Sequence, residues 1–260
     1  MAERQRQRGA AVGSDWTSAS ADELASAAGP SSSQTQSGAA LAPETFMGKL
    51  GEHERDALMA LGVSRSYPRG ATLMFQDERD DRTILLLSGR TKVARIEQDG
   101  RELILDLRDA GDLLGELAFI DGAPRAATVT ALEPVQAVVM SAATLRSHLE
   151  TTPRVAVALL EVVAQRFRES STNRAQFGVA DTLGRVAARI VELADRYGAP
   201  STEGVRVDSP LSQEDLAAWA GASRAGVAEA LRTMRELGWL ATDRKRLTIL
   251  DLAALRARAA

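Results

Sequence analysis

The chain has 260 residues, 45% hydrophobic and 26% charged, with a formal net charge of −3; at roughly 100 to 200 residues per domain this suggests two domains. It has no cysteine and only two histidines, His53 and His148, which excludes disulfides, thiolate zinc sites, iron–sulfur clusters and cysteine nucleophiles, and argues against a His-rich metal or haem site. The longest apolar run, Val155 to Leu160, is far too short to cross a bilayer. The start, with Arg4, Arg6 and Arg8, lacks the apolar centre of a secretory signal, so the expected compartment is the cytoplasm.

Residues 1–41 are rich in Ala, Ser, Gly, Gln and Thr, with Val12, Trp16 and Leu24 as the only large apolar residues from Gly9 to Ala40. Too little apolar surface is available there to offset ordering entropy, and a disordered tail is expected. After a helical phase around Glu52 to Leu61, residues 42–152 take up a strand rhythm. Thr83 to Leu87 ends at Ser88-Gly89, Val93 to Ile96 at Asp99-Gly100, and alternating Leu103, Leu105 and Leu107 at Ala110-Gly111-Asp112. Ala127 to Leu132 and Val135 to Met140 add two more strands. Short antiparallel strands without intervening helices predict a small β-barrel or jelly roll able to hold one small ligand.

From Pro153 the period becomes helical. Val155, Leu159, Val162, Val163 and Phe167 form an apolar stripe in residues 153–179, while Arg168 to Asn173 is polar. A helix of this kind is expected to lie partly across a second copy of the chain, giving a homodimer; the bland alternative is a monomer in which it closes its own barrel. In residues 180–260, Asp181 is placed to cap a helix carrying Leu183, Val186, Ala187, Ile190, Leu193 and Tyr197, which stops at Gly198. Ser212 and Asp215 have capping-box spacing for the next helix.

Two constellations carry chemistry. Gly115-Glu116-Leu117-Ala118 is followed, after Asp121-Gly122, by Pro124-Arg125-Ala126-Ala127-Thr128-Val129. A short helical turn offers backbone amides to an anion, Arg125 supplies a two-pronged cation and Glu116 can accept from hydroxyls. A cyclic phosphate attached to a ribose has those needs. The stretch resembles, almost letter for letter, the phosphate-binding cassette of the cyclic-nucleotide-binding fold. That resemblance implies that Arg125 pairs with the cyclic phosphate, that Glu116 takes the ribose 2′-hydroxyl, and that Gly115, Ala126 and Ala127 let the backbone approach. Ala126 stands where bacterial relatives carry Ser or Thr; the missing hydroxyl removes a hydrogen bond of about 1 kcal/mol and leaves the charged pair intact, which favours cAMP over cGMP. The competing reading is an Arg125–Glu116 ion pair that merely holds the loop.

The second constellation is Leu216-Ala217, Gly221, Ser223, Val227 and Leu231, the spacing of a helix-turn-helix in which Ala allows close approach, Gly makes the turn and Ser223 caps the second helix. Its first-turn residues Arg224, Ala225 and Gly226 are then expected to face a major groove. Trp239 to Thr242, a basic turn over Asp243, Arg244, Lys245 and Arg246, and Leu247 to Leu250 read as a wing whose cations meet phosphates.

In this order the parts resemble the cyclic AMP receptor and FNR family of bacterial transcription regulators over residues 45 to about 255. The resemblance implies an α+β architecture: a small antiparallel jelly roll of the cyclic-nucleotide-binding fold, a long dimerisation helix and a winged helix-turn-helix domain. It also implies an allosteric homodimer, cAMP as effector, adenine contacts from Ser170 and Ser171, and double-stranded DNA and RNA polymerase as partners, with Ser212 in the DNA-contacting set. One departure stands out. Family members that read GC-containing half-sites show Ser-Arg-Glu-Thr-Val, whereas this chain has Ser223-Arg224-Ala225-Gly226-Val227. The Glu that would accept from cytosine is missing and Gly226 weakens the helix by about 1 kcal/mol. A different or looser DNA site is expected, and a module that docks a protein or binds DNA weakly is the alternative. No P-loop, dinucleotide fingerprint or Ser-His-Asp arrangement supports an enzyme.

Overall fold

The computed structural model describes residues 41–208, 211–243 and 246–259, for 173–179 the backbone only. The expected disordered tail apart from Leu41, which packs against the helix-side core, and two wing residues, Arg244 and Lys245, lie outside the described residues.

A 3-10 turn (Met47–Lys49) and α1 (Glu52–Met59) lead into strands β1 (Val63–Tyr67), β2 (Thr72–Met74), β3 (Arg82–Ser88), β4 (Thr91–Ile96), β5 (Glu102–Arg108) and β6 (Leu113–Leu114). The short α2 (Glu116–Asp121) precedes β7 (Thr128–Ala131) and β8 (Val135–Ser141). Two antiparallel sheets result, in the orders β1-β8-β3-β6 and β2-β7-β4-β5, which is the jelly roll expected from the strand rhythm. Between them pack Leu73, Met74, Ile84, Leu86, Val129 and Ala137. The unbroken run Thr83 to Leu86 is fully buried because both of its faces are covered: Ile84 and Leu86 point between the sheets, Leu85 toward the helices.

Those helices are α1, α3 (Ala142–Thr151) and the 27-residue α4 (Pro153–Val179). Val155, Ala158, Leu159 and Val162 of α4 are buried with Leu85, Val138 and Leu145. Phe167 departs from the stripe assigned to it in the sequence: it is 73% exposed and lines up with Val157 and Leu160, 52% and 62% exposed, on a different face. The spacing i, i+3, i+10 rotates this set well away from the buried stripe.

Next come α5 (Thr182–Tyr197), β9 (Gly198–Ser201), β10 (Gly204–Asp208), α6 (Gln213–Ala220), α7 (Arg224–Glu236), β11 (Leu240–Asp243), β12 (Arg246–Ile249) and α8 (Leu252–Ala259). A third antiparallel sheet runs β11-β12-β10-β9. Asp181 caps α5 by accepting from Gly184 N at 2.8 Å, and Ser212 and Asp215 close a reciprocal capping box on α6. Val186, Ile190, Trp219, Val227, Leu231 and Met234 form the core here, and Ala94, Ile104, Leu107 and Leu132 of the jelly roll belong to the same buried cluster. No helix among the described residues is long and apolar enough to cross a membrane.

Candidate ligand pocket and nucleic-acid interface

Arg125 is 3% exposed. Its backbone is held by the 75–81 loop: Arg125 N donates to Glu78 O and Asp77 N donates to Arg125 O, each at 2.9 Å. Its guanidinium donates from Nη1 to Gly115 O at 3.1 Å and from Nη2 to Arg82 O. The nearest carboxylate is Asp80, at 3.7 Å, and Asp80 is already taken at 2.7–2.9 Å by Arg82. Arg125 Nε is buried and has no hydrogen-bond partner among the described residues. A buried guanidinium with a loose counter-charge and a free donor is costly alone; an anion supplied from outside would complete it, and a phosphate fits its planar fork.

Gly115 sits at the start of α2 with φ 79°, the left-handed region, and a Cβ there would collide with Arg125 Nη1. Glycine is thus demanded twice, by backbone conformation and by space. Ala127 is buried, whereas Leu117 and Ala126 are exposed and Ala118 half-buried.

Glu116 is buried and its partner is Arg166 of α4, not Arg125: Arg166 Nη1 donates to Glu116 Oε1 at 2.6 Å and Nη2 to Asp112 Oδ1 at 2.7 Å. The Arg125–Glu116 pair that would merely have held the loop is absent; each residue has a partner from a different segment. Burial pushes the Asp112 carboxyl up, even against Arg108 and Arg166. The sequence reading missed Asp80, Arg82, Asp112 and Arg166. Arg166 had one available signal, its place four residues before Ser170 on the same helical face.

A cavity of about 1880 Å³ joins these groups. Gly115, Glu116, Leu117, Ala118, Arg125, Ala126, Ala127 and Ser170 all line it. Ser171 does not; it lies one turn beyond Phe167 on the exposed stripe, its Oγ donating to Phe167 O at 2.9 Å. The volume exceeds what one small ligand fills because the cavity continues into a cleft bounded by Arg189, Arg196 and Trp219.

On the winged helix, Gly221 adopts φ 57° between α6 and α7 and Ser223 caps α7, its Oγ accepting from Gly226 N at 3.0 Å. Arg185 Nε donates to Ala220 O at 3.0 Å, holding the turn from α5. Ser212, Ser223, Arg224 and Ala225 are exposed. Gly226 corrects the expectation of an outward residue: it is half-buried, and a Cβ would press on Thr182 Cγ2 and Ser223 Oγ, each at 3.2 Å. Close approach of α7 to the start of α5 accounts for it. Arg246 is half-exposed and paired with Asp208 at 3.1 Å across the β10–β12 ladder, a surface pair weak enough to yield to a phosphate.

A jelly roll with a buried arginine-centred anion pocket, joined to a capped helix-turn-helix with a wing, defines a ligand-binding DNA-binding protein. Residues 64–152 match the cyclic nucleotide-binding domain and residues 184–258 the Crp-like helix-turn-helix domain. The chain is 36% identical over 193 residues to the CRP-like cAMP-activated global transcriptional regulator of Mycobacterium tuberculosis, covering 74% of this chain and 86% of that one. It is 26% identical to the cyclic AMP receptor protein of Thermus thermophilus, covering 73% and 84%. Among solved structures, the c-di-GMP-responsive global regulator CLP of Xanthomonas campestris shares the fold with a TM-score of 0.70 at 18% identity, covering 76% and 99%. The chain belongs to the CRP/FNR family of cyclic-nucleotide-binding transcription regulators, which are not enzymes.

Proposed function

We propose that this protein is a homodimeric, cytoplasmic transcription regulator whose affinity for double-stranded DNA is set allosterically by cAMP. The observation that carries the reading is Arg125: a buried guanidinium with an unpartnered Nε in a cavity it shares with Glu116. In this reading Arg125 takes the cyclic phosphate, Glu116 the ribose 2′-hydroxyl, and Gly115, Ala126 and Ala127 give backbone access. Leu117 and Ala118 border the ligand. Ser170, in the cavity, faces the adenine of its own subunit, and Ser171, on the exposed stripe with Val157, Leu160 and Phe167, reaches the partner's. That stripe is the apolar surface a dimer would bury. The name of the 36% identical relative, a cAMP-activated regulator, supports the choice of nucleotide.

The working division is a tail over 1–41, a nucleotide-binding barrel over 42–152, a dimer helix over 153–179 and a winged helix-turn-helix over 180–260. Ser223, Arg224 and Ala225 face the groove, Ser212, Arg244, Lys245 and Arg246 meet phosphates, and RNA polymerase is the downstream partner. A ligand binding one dimer arrangement better than the other shifts the population by its differential affinity.

Isothermal titration with cAMP tests this. One site per subunit is expected, weaker binding of cGMP, and loss of binding by about 100-fold or more in Arg125→Ala, since charged hydrogen bonds contribute roughly 1.5–3 kcal/mol each. No heat with either nucleotide in the parent protein would overturn the assignment. The second reading, a nucleotide-sensing or ligand-independent module that docks a protein or binds DNA weakly, draws on Gly226 and Glu229 of α7. Selection from random duplexes separates the two, because only the regulator recovers a two-fold symmetric site.

A further inference from the structure

The pocket and the winged helix are joined inside one chain by an unbroken run of polar contacts. Glu116 holds Arg166 at 2.6 Å and Arg166 holds Asp112 at 2.7 Å. The other carboxylate oxygen of Asp112 accepts from the backbone N of Asp109 at 3.0 Å, so the turn 109–112 between β5 and β6 is pinned at one end by the pocket. Its other end is pinned by α5. Asp109 Oδ2 accepts from Arg196 Nη2 at 2.8 Å and from the Tyr197 hydroxyl at 2.9 Å, and Arg196 also reaches Leu107 O at 3.1 Å and Asp106 at 3.3 Å. From Arg196 the run continues along α5 to Glu192 at 3.5 Å, to Arg189 at 2.5 Å, and across to Trp219 O on α6 at 3.2 Å. Trp219 is one residue short of the α6 C-terminus, beside the turn that sets the angle of α7.

The surroundings favour discrete rather than yielding behaviour. Arg196 and Asp106 are desolvated, and burial alone would pull Arg196 down and Asp106 up; Tyr197 and the carboxylates of Asp106 and Asp109 hold Arg196 up, and Arg108 and Arg196 hold Asp106 down. Both side chains are only half-buried, so these charges are held by several partners at once more than by full exclusion of water. Around them Ala94, Ile104 and Leu107 of the jelly roll pack in one cluster with Ile190, Leu193 and Trp219. A movement of the 109–112 turn therefore has a packed path into the helix-turn-helix.

We propose that Arg196 is a coupling residue through which occupancy of the pocket is transmitted to the winged helix of the same subunit, by way of Glu116, Arg166, Asp112 and the 109–112 turn. A ligand hydroxyl that takes Glu116 changes what Arg166 gives to Asp112, and the turn that carries Asp112 also carries the anchor of α5. This route lies within one chain and is additional to any change across a dimer interface; it rests on the reading that cAMP controls DNA affinity. Spatial continuity alone does not establish coupling, so the decisive quantity is the ratio of DNA affinities with and without ligand.

The test uses the full chain with Arg196→Gln, Asp109→Asn and Tyr197→Phe; none of these is among the residues assigned to the nucleotide, although Asp109 and Arg196 line the cleft into which the cavity continues. Titration calorimetry gives the cAMP affinity, and fluorescence anisotropy on a selected duplex gives the DNA affinity in the absence and in the presence of saturating cAMP. Allosteric factors of roughly 5–150-fold are typical. Retained cAMP binding within about threefold, with the ratio falling toward one in Arg196→Gln and Asp109→Asn, is the expected result. Tyr197→Phe, which deletes one hydroxyl and keeps the ring over which Arg90 lies, keeps the fold should the charge variants lose it, and is expected to lower the ratio in part. Full parental ratios in folded variants overturn the coupling role and leave the ligand-controlled reading standing. A parent protein whose DNA affinity ignores bound cAMP overturns both.

Discussion

The ligand pocket and the DNA-facing surface are built on opposite terms. In the pocket, Arg125, Glu116 and Asp112 are buried, so each charge is fixed by named partners and a change in one leaves another desolvated and unpaired. On the winged helix, Arg224 and Ala225 are exposed on a helix secured from behind by Val227, Leu231 and Met234, and the charged pairs nearby, such as Arg232–Glu229 at 2.5 Å, are exposed on both sides. Water can replace any partner there. The pocket should therefore tolerate almost no substitution, whereas the reading surface can be altered without harm to the fold.

The largest effect that sharpens this contrast is expected at Gly115. Gly115→Ala combines strain at φ 79° with a collision against Arg125, and should weaken cAMP binding by about 100-fold, equivalent to roughly 3 kcal/mol, in titration calorimetry. An affinity within threefold of the parent would mean that the pocket relaxes and that burial does not define it.

On the reading surface the effect should be intermediate and confined to sequence choice. Arg224→Ala is expected to cost about 1–3 kcal/mol at one base position, while Ala225→Glu should restore a preference for cytosine in a selection experiment, both with the parental melting temperature. A fall in thermal stability in either variant would break the comparison.

The smallest effect belongs to the contact between the two regions, where Lys92 of β4 holds Asp215 of α6 at 2.8 Å and Glu102 at 2.7 Å. Burial pulls the Asp215 carboxyl up, but Lys92 and Ser212 outweigh it and hold it below 3.8. A carboxylate depressed on folding contributes stability that is complete above its unfolded value and is lost as pH falls through the lower folded value. Asp215→Asn should lower the melting temperature by about 2–4 °C at neutral pH, and the gap should close as the pH falls below 3.8. A gap that persists in acid would assign the loss to the α6 cap instead of the ion pair.

Legibility in the sequence followed the same division. The turn glycines, the run Thr83 to Leu87 and the N-caps Asp181, Ser212 and Ser223 were readable because each expresses a local rule. Strand β1 was not: Val63 to Ser66 are exposed, so no apolar alternation marks it, and only its ladder with β8 makes it a strand. Three-residue β2 and helix α3 were missed for similar reasons of length and weak patterning.

The site divides likewise. Sequence alone determined the cassette residues from Gly115 to Ala127 and the helix-turn-helix spacing, because backbone conformation, capping and the choice of a guanidinium for an anion are decided within a few residues of chain. Tertiary structure alone decided the partners: Asp80 and not Glu116 beside Arg125, Arg166 on Glu116, Gly226 against Thr182, and Arg196 on Asp109. These pairs join residues roughly 40 to 90 positions apart, and a buried charge takes whichever opposite group the fold brings within hydrogen-bond reach, which no local pattern of the chain encodes.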